Sequence, residues 1–323
     1  MQYEQPDKPD DITPVTDWTR PPVPEHRQNR FGLRTVFIPL VFILLHLVVA
    51  SIVATLYLII LLFVATTTGN QDILNAFADP AKITQILSQH YPIITVLYSL
   101  FLIPLYALYL FFARQRNPQQ LYIEKPRRAD LLSGSAMIVG ALGITTLYIS
   151  LLTWLADRVG FVGRLMADYE RLAGAFTPEA GFFWLIMGIT ILAPITEELL
   201  FRGIVQGELR RVMPESMAIV LQALIFAAYH MQPVQSSYAI LPGILLGVAY
   251  AWSRSIWVPI IMHMVFNFFG SVVPALIMDD PRLAQIVTLV QLAFIVIGAL
   301  AGYYMYLNRR HQPVKISEDR SMF

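Results

Sequence analysis

The chain has 323 residues, 56% of them hydrophobic and 14% charged, with a net charge of +1 and a mean hydropathy of +0.57. A soluble domain carries about 25% charged residues, so the apolar excess exceeds what one water-soluble core absorbs and points to lipid. Near-zero net charge excludes a global field for nucleic acid, and the absence of cysteine excludes a thiol nucleophile or a thiolate zinc site.

Residues 1–34 are polar and proline-rich, with no apolar core of a signal peptide, and read as a disordered tail. A helical span needs about 20 mainly apolar residues. Segments meeting or approaching that length run over 35–66, 92–114, 130–155, 181–211, 216–231, 238–253, 256–278 and 284–307. The first is long enough to tilt or protrude, and the fifth is short. The expected fold is therefore all-α: a polytopic bundle of about eight spans over 35–307, followed by a polar tail over 308–323.

Lys and Arg near span ends set orientation. Arg27, Arg30 and Arg34 precede the first span, and Arg114, Arg116, Lys125, Arg127 and Arg128 follow the second. Arg210, Arg211, Arg254, Arg309, Arg310 and Lys315 fall on the same side of an even-numbered bundle. The alternate loops are poorer: 67–91 has Lys82, 232–237 has none, and 279–283 sets Arg282 beside Asp279 and Asp280. The loop 156–180 is mixed. Both termini are expected in the cytoplasm.

Ionisable groups inside a span are costly and mark candidate sites. In the fourth segment, Glu197 and Glu198 stand side by side, with Arg202 four residues on. Glu198 and Arg202 share a helix face and can pair, whereas Glu197 points about 100° away. A buried pair that only fixes helix packing explains Glu198 and Arg202 but leaves Glu197 over. A carboxylate in a low-dielectric site gains proton affinity, which suits a general base. His230 lies sixteen residues after Pro214 and Glu197 seventeen before it. In a helical hairpin both sit about 25 Å from the turn and could meet. In the seventh segment, His263 and Asn267 share a face and could donate to a developing oxyanion, or simply tie helices together. Pro242, Gly243 and Gly247 allow a kink and close packing. His46 and His90 stand alone and receive no role.

Three patterns thus occur in order on separate apolar segments: Glu197-Glu198-x-x-x-Arg202, Phe226-x-x-x-His230 and His263-x-x-x-Asn267. Together with Leu-Pro-Gly-Ile-Leu-Leu-Gly over 241–247, this resembles the CPBP family, which unites type II CAAX prenyl-protein endopeptidases with bacteriocin-processing and immunity proteins (the Abi family). The resemblance covers about 130–275. It implies an intramembrane endopeptidase acting on a membrane protein or peptide, in a cavity open to the cytoplasm of a multi-pass, bacterial plasma-membrane protein. In that resemblance Glu197 activates water with His230, His263 and Asn267 hold the oxyanion, and Glu198 with Arg202 supports the arrangement. No cofactor is expected. Glu197, His230 and His263 could supply zinc with one open position, yet no His-Glu-x-x-His is present.

Two other classes compete. One is a non-proteolytic scaffold or immunity protein that binds a peptide or partner. The other is a transporter using Glu197 and the histidines as a proton relay, for which no inverted repeat is evident.

Overall fold

The structure, a computed structural model, describes residues 31–173 and 181–310. Outside them lie most of the expected N-terminal tail, residues 311–323 and part of the loop 156–180. All regular structure among the described residues is helical, apart from one isolated bridge between Ile123 and Ser255. Helix α1 spans Leu33–Thr68, α4 Tyr91–Arg116 and α5 Arg128–Ala156, with short α2 (Gln71–Ala76) and α3 (Pro80–Gln89) between the first two. Helix α6 (Gly160–Ala173) precedes α7 (Phe182–Leu209). Helices α8 (Glu215–Tyr229), α9 (Pro233–Ser253), α10 (Trp257–Ile277) and α11 (Pro281–Leu307) complete the bundle. Among the described residues, seven helices are long and apolar enough to cross a membrane. The eighth apolar segment, α8, has 15 residues, about 22 Å, and falls short of the roughly 30 Å hydrocarbon core.

Local chemistry sets the ends of the elements. Asn70, Asp79 and Asp280 accept backbone N–H bonds at the starts of α2, α3 and α11, with proline opening the latter two. Side-chain capping of this kind satisfies donors that a helix start leaves over. Along α4, buried Ile94, Tyr98, Leu102, Tyr106 and Leu110 recur every four residues and pack against Leu200, Phe201, Ile204 and Val205 of α7. A second cluster joins Met137, Ile138 and Ala141 of α5 to Leu246 and Ala249 of α9 and Val258 and Met262 of α10. Ile195 and Leu199 of α7 also pack against Tyr250, Ile256 and Ile260, so α7 runs between two apolar layers. In contrast, none of the most apolar stretch of α1 is buried within the protein, so that surface is left for lipid.

Contacts define the two ends of the bundle. At one end, Arg34 donates to Glu208 at 3.3 Å, Gln120 donates to the Gly203 carbonyl, and the Arg210 guanidinium stacks 4.2 Å from the Tyr122 ring. There Glu124 also accepts from Arg254 at 2.8 Å and from Arg310. At the other end, Tyr148 shares a hydrogen bond with Ser237, and the rings of Tyr169 and Tyr238 meet edge to face.

Helices α5 and α11 approach closely because small residues face each other. A Cβ on Gly143 would run into the Gln291 carbonyl, and one on Gly298 into the Ala136 carbonyl. Gly143→Val is therefore expected to overpack this seam at a cost of about 1–3 kcal/mol, measured as a lower melting temperature of the purified protein in detergent. An unchanged melting temperature contradicts the close approach.

Candidate active site

Helix α7 is continuous but not uniformly α-helical. Leu185–Leu192 and Leu199–Val205 are π-helical and flank the α-helical Ala193–Glu198. A π segment pairs each carbonyl with the N–H five residues on, and such segments recur at functional sites. Five residues after Ile189 stands Pro194, which has no N–H. The freed Ile189 carbonyl accepts instead from Asn267 Nδ2 at 2.8 Å. Asn267 ends the α-helical part of α10, directly before a third π segment, Phe268–Val272. One proline in α7 thus creates the acceptor that ties α10 to it.

The two adjacent glutamates have different surroundings. The Glu198 side chain is 0% exposed and that of Glu197 14%. Glu198 Oε1 accepts from Arg202 Nη1 at 2.8 Å and from His263 Nδ1 at 2.7 Å. Arg202, also fully buried, donates through Nη2 to the Gly243 carbonyl at 3.1 Å and lies 4.9 Å from the Phe226 ring centre. The pairing expected of residues four apart survives although Arg202 sits in a π segment, because the wider turn keeps these positions neighbours. Gln206 continues the stripe one turn further, donating to Glu215 at 2.8 Å. The spacing of four in 198, 202 and 206 marks that stripe in the sequence, but an uncharged amide does not stand out there.

Among the described residues Glu197 has no arginine or lysine counterion. It opens onto a cavity of about 630 Å3 that is also lined by His230, His263 and Asn267. All four expected catalytic residues therefore meet one space, but their pairing differs from expectation. It is His263, not His230, that stands against Glu197, with Nε2 3.7 Å from Oε2. Counting from Pro214 matches depth and not azimuth, and the two residues line different walls. His230 follows the last residue of α8, and its Nδ1 is 2.9 Å from the Phe226 carbonyl. A carbonyl only accepts, so that nitrogen carries the proton and Nε2 holds the lone pair of the neutral ring. His263 and Asn267 are each partly committed, to Glu198 and to Ile189, leaving Nε2 of the first and one amide hydrogen of the second. Among the described residues no three His, Asp or Glu side chains converge as a metal ligand set. Glu197, His230 and His263 do not fit zinc as placed, because His230 lies beyond ion-pair reach of Glu197 and the three do not converge on one point.

Lining residues that composition left unmarked include Gln232, Gln235, Gln291, Thr145 and Thr146. Gln232 and Gln235 near a span end look like ordinary interface residues, and the uncharged Thr145, Thr146 and Gln291 within spans do not stand out. Only the three-dimensional arrangement turns them to one space. His46 packs among the rings of Tyr98, Tyr106 and Tyr229, and His90 lies near Tyr57. Neither lines the cavity.

Residues 179–269 match the family described as Type II CAAX prenyl endopeptidase Rce1-like. Over 95 residues the chain is 32% identical to the membrane-embedded CAAX protease MroQ of Staphylococcus aureus (strain USA300), a stretch covering 26% of this chain and 36% of that relative. No solved structure matches. These similarities support the resemblance to the CPBP family of intramembrane proteases over the stretch that carries Glu197, His230, His263 and Asn267, and they span about a third of that relative's length.

Removing Arg202 leaves the Glu198 carboxylate buried with His263 alone. Breaking one side of a buried ion pair costs about 3–5 kcal/mol, so Arg202→Met is expected to lower the melting temperature and folded yield sharply. Adding Glu198→Gln, which removes the stranded charge, should recover part of the loss. Wild-type melting by Arg202→Met contradicts the assignment of this pair as the structural anchor.

Proposed function

We propose that this chain is an intramembrane endopeptidase whose reacting water is activated by Glu197. The observation that carries the reading is the division between neighbours: Glu198 is sealed by Arg202 and His263, while Glu197, with only His263 Nε2 at 3.7 Å and no arginine or lysine among the described residues, faces the cavity. A carboxylate in that position can take a proton from water as its oxygen attacks a peptide carbonyl carbon. The neutral His230 presents the lone pair of Nε2 and assists in placing that water. The free amide hydrogen of Asn267 stabilises the tetrahedral oxyanion, joined by Nε2–H of His263 when that ring, already donating through Nδ1 to Glu198, is the imidazolium. The proton held by Glu197 then passes to the departing amine as the C–N bond breaks, giving a carboxylate and an amine. No step in this scheme uses zinc.

The resemblance to a named CAAX protease supports the reaction class. The cavity lining supports a peptide as substrate, since amides and hydroxyls of Gln232, Gln235, Thr145 and Thr146 can pair with a backbone while apolar walls exclude water. A multi-pass protein in a bacterial plasma membrane, with the catalytic part at about 130–275, fits this reading.

The test is a comparison of membrane-derived peptides from cells carrying wild-type protein or Glu197→Gln at equal abundance. Removal of a general base is expected to slow cleavage by about 10²- to 10⁴-fold, so specific peptides should vanish. Matching peptide profiles, with both forms rescuing a deletion equally, favour the non-proteolytic scaffold.

A further inference from the structure

The resemblance implies a mouth open to the cytoplasm, yet the fold and the charge pattern of this chain point the other way. The cavity widens into one half of the bundle. It takes residues 142–150 from the later half of α5, Tyr169 and Leu172 from α6, and Ile189, Ala193 and Glu197 from α7. From α10 it takes His263 and then 266–275, toward that helix's later end, and from α11 Gln291, in its first half. Tyr91 opens α4, and His230 and Gln232 lie in the turn between α8 and α9. Glu197 and His263 form the floor, close to the middle of the bundle. The other places named lie toward the end that carries helix α6 and the loops 69–90, 230–232 and 278–280.

That end is the one poor in positive charge. Its Lys and Arg residues are Lys82, Arg158, Arg164, Arg171 and Arg282, set among Asp72, Asp79, Asp157, Asp168, Asp279 and Asp280. At the opposite end, the segment 114–128 alone carries Arg114, Arg116, Lys125, Arg127 and Arg128. Contacts tie the other basic segments to that same end: Arg254 and Arg310 to Glu124, and Arg34 to Glu208. Short loops rich in Lys and Arg stay in the cytoplasm.

We infer that the Glu197 cavity opens to the extracytoplasmic side, and that its substrate is an internal stretch of a peptide that has already crossed, or is anchored in, the membrane. This rests on the endopeptidase reading for the word substrate, but not for the direction of the mouth. The lining supports an internal stretch, because among the described residues no Lys or Arg lines the cavity to receive a free C-terminal carboxylate. The carboxylate that the described lining does present is that of Glu197.

The absence of native cysteine makes single-cysteine labelling direct. Asp72→Cys marks the cavity end, Gln115→Cys the basic end, and Ser150→Cys and Gln235→Cys the cavity itself. A membrane-impermeant maleimide added to spheroplasts is expected to label positions 72, 150 and 235, and to reach 115 only after permeabilisation. Labelling of 115 in sealed spheroplasts overturns the inference, whether or not 72 is labelled too. So does labelling of 72 with both 150 and 235 reached only after permeabilisation, or from neither side. Cleavage by the 72 and 115 variants, compared with Glu197→Gln, separates the two readings. Reversed labelling with cleavage intact overturns the direction alone. The expected labelling with cleavage insensitive to Glu197 leaves the direction and removes the endopeptidase.

Discussion

A carboxylate held without water in an apolar bundle has to be paired, since the desolvation penalty is several kcal/mol per ion even after relaxation. Glu198 meets that demand twice through one oxygen, with Arg202 from its own helix and His263 from α10. Much of the site follows from this arrangement. Arg202, fixed by Glu198, reaches the Gly243 carbonyl of α9 and covers Phe226 of α8, so four helices converge on a single ion pair. His263, fixed by the same oxygen, turns its other nitrogen toward Glu197. The reactive-looking glutamate is therefore placed by its unreactive neighbour.

The second constraint is in the backbone. Pro194 withdraws one N–H from a π segment, and Asn267 takes the carbonyl left over. This sets α10 against α7 at the depth of Ile189, about two turns from Glu197, and pins Asn267 through one amide hydrogen while the other stays available. Interlocking of this kind keeps polar groups oriented in a site that apolar packing alone would leave loosely specified.

The long apolar helices were legible because length and apolarity read out directly as spans, and the fifth segment was already visibly short. The polar α2, α3 and α6 in the connecting loops were not, since they carry no such apolar run. The ion pair was legible because opposite charges four apart in an apolar run lie on one face and are tolerated there chiefly as a pair. The partner of Glu197 was not. Depth along a hairpin can be counted from Pro214, but which wall a residue occupies depends on helix rotation and on π segments, and only Pro194 hints at those. Gln206 was missed although it extends the 198–202 stripe, because an amide alone carries less signal than a charge. The direction of the cavity was hidden for a different reason. Span orientation can be read from Lys and Arg, but the half of the bundle that is hollow depends on side chains contributed by every helix from α4 to α11.

Adjacent glutamates differ at this site, Glu198 sealed in an ion pair and Glu197 open to the cavity, and the proposed function gives the reactive part to Glu197. The most direct test is carbodiimide coupling of a small amine to the native protein in membranes, with each position resolved by fragment-ion mass spectrometry. The account predicts that Glu197 is modified while Glu198 is protected until the protein is unfolded. Equal modification of both, or modification of Glu198 first, contradicts it.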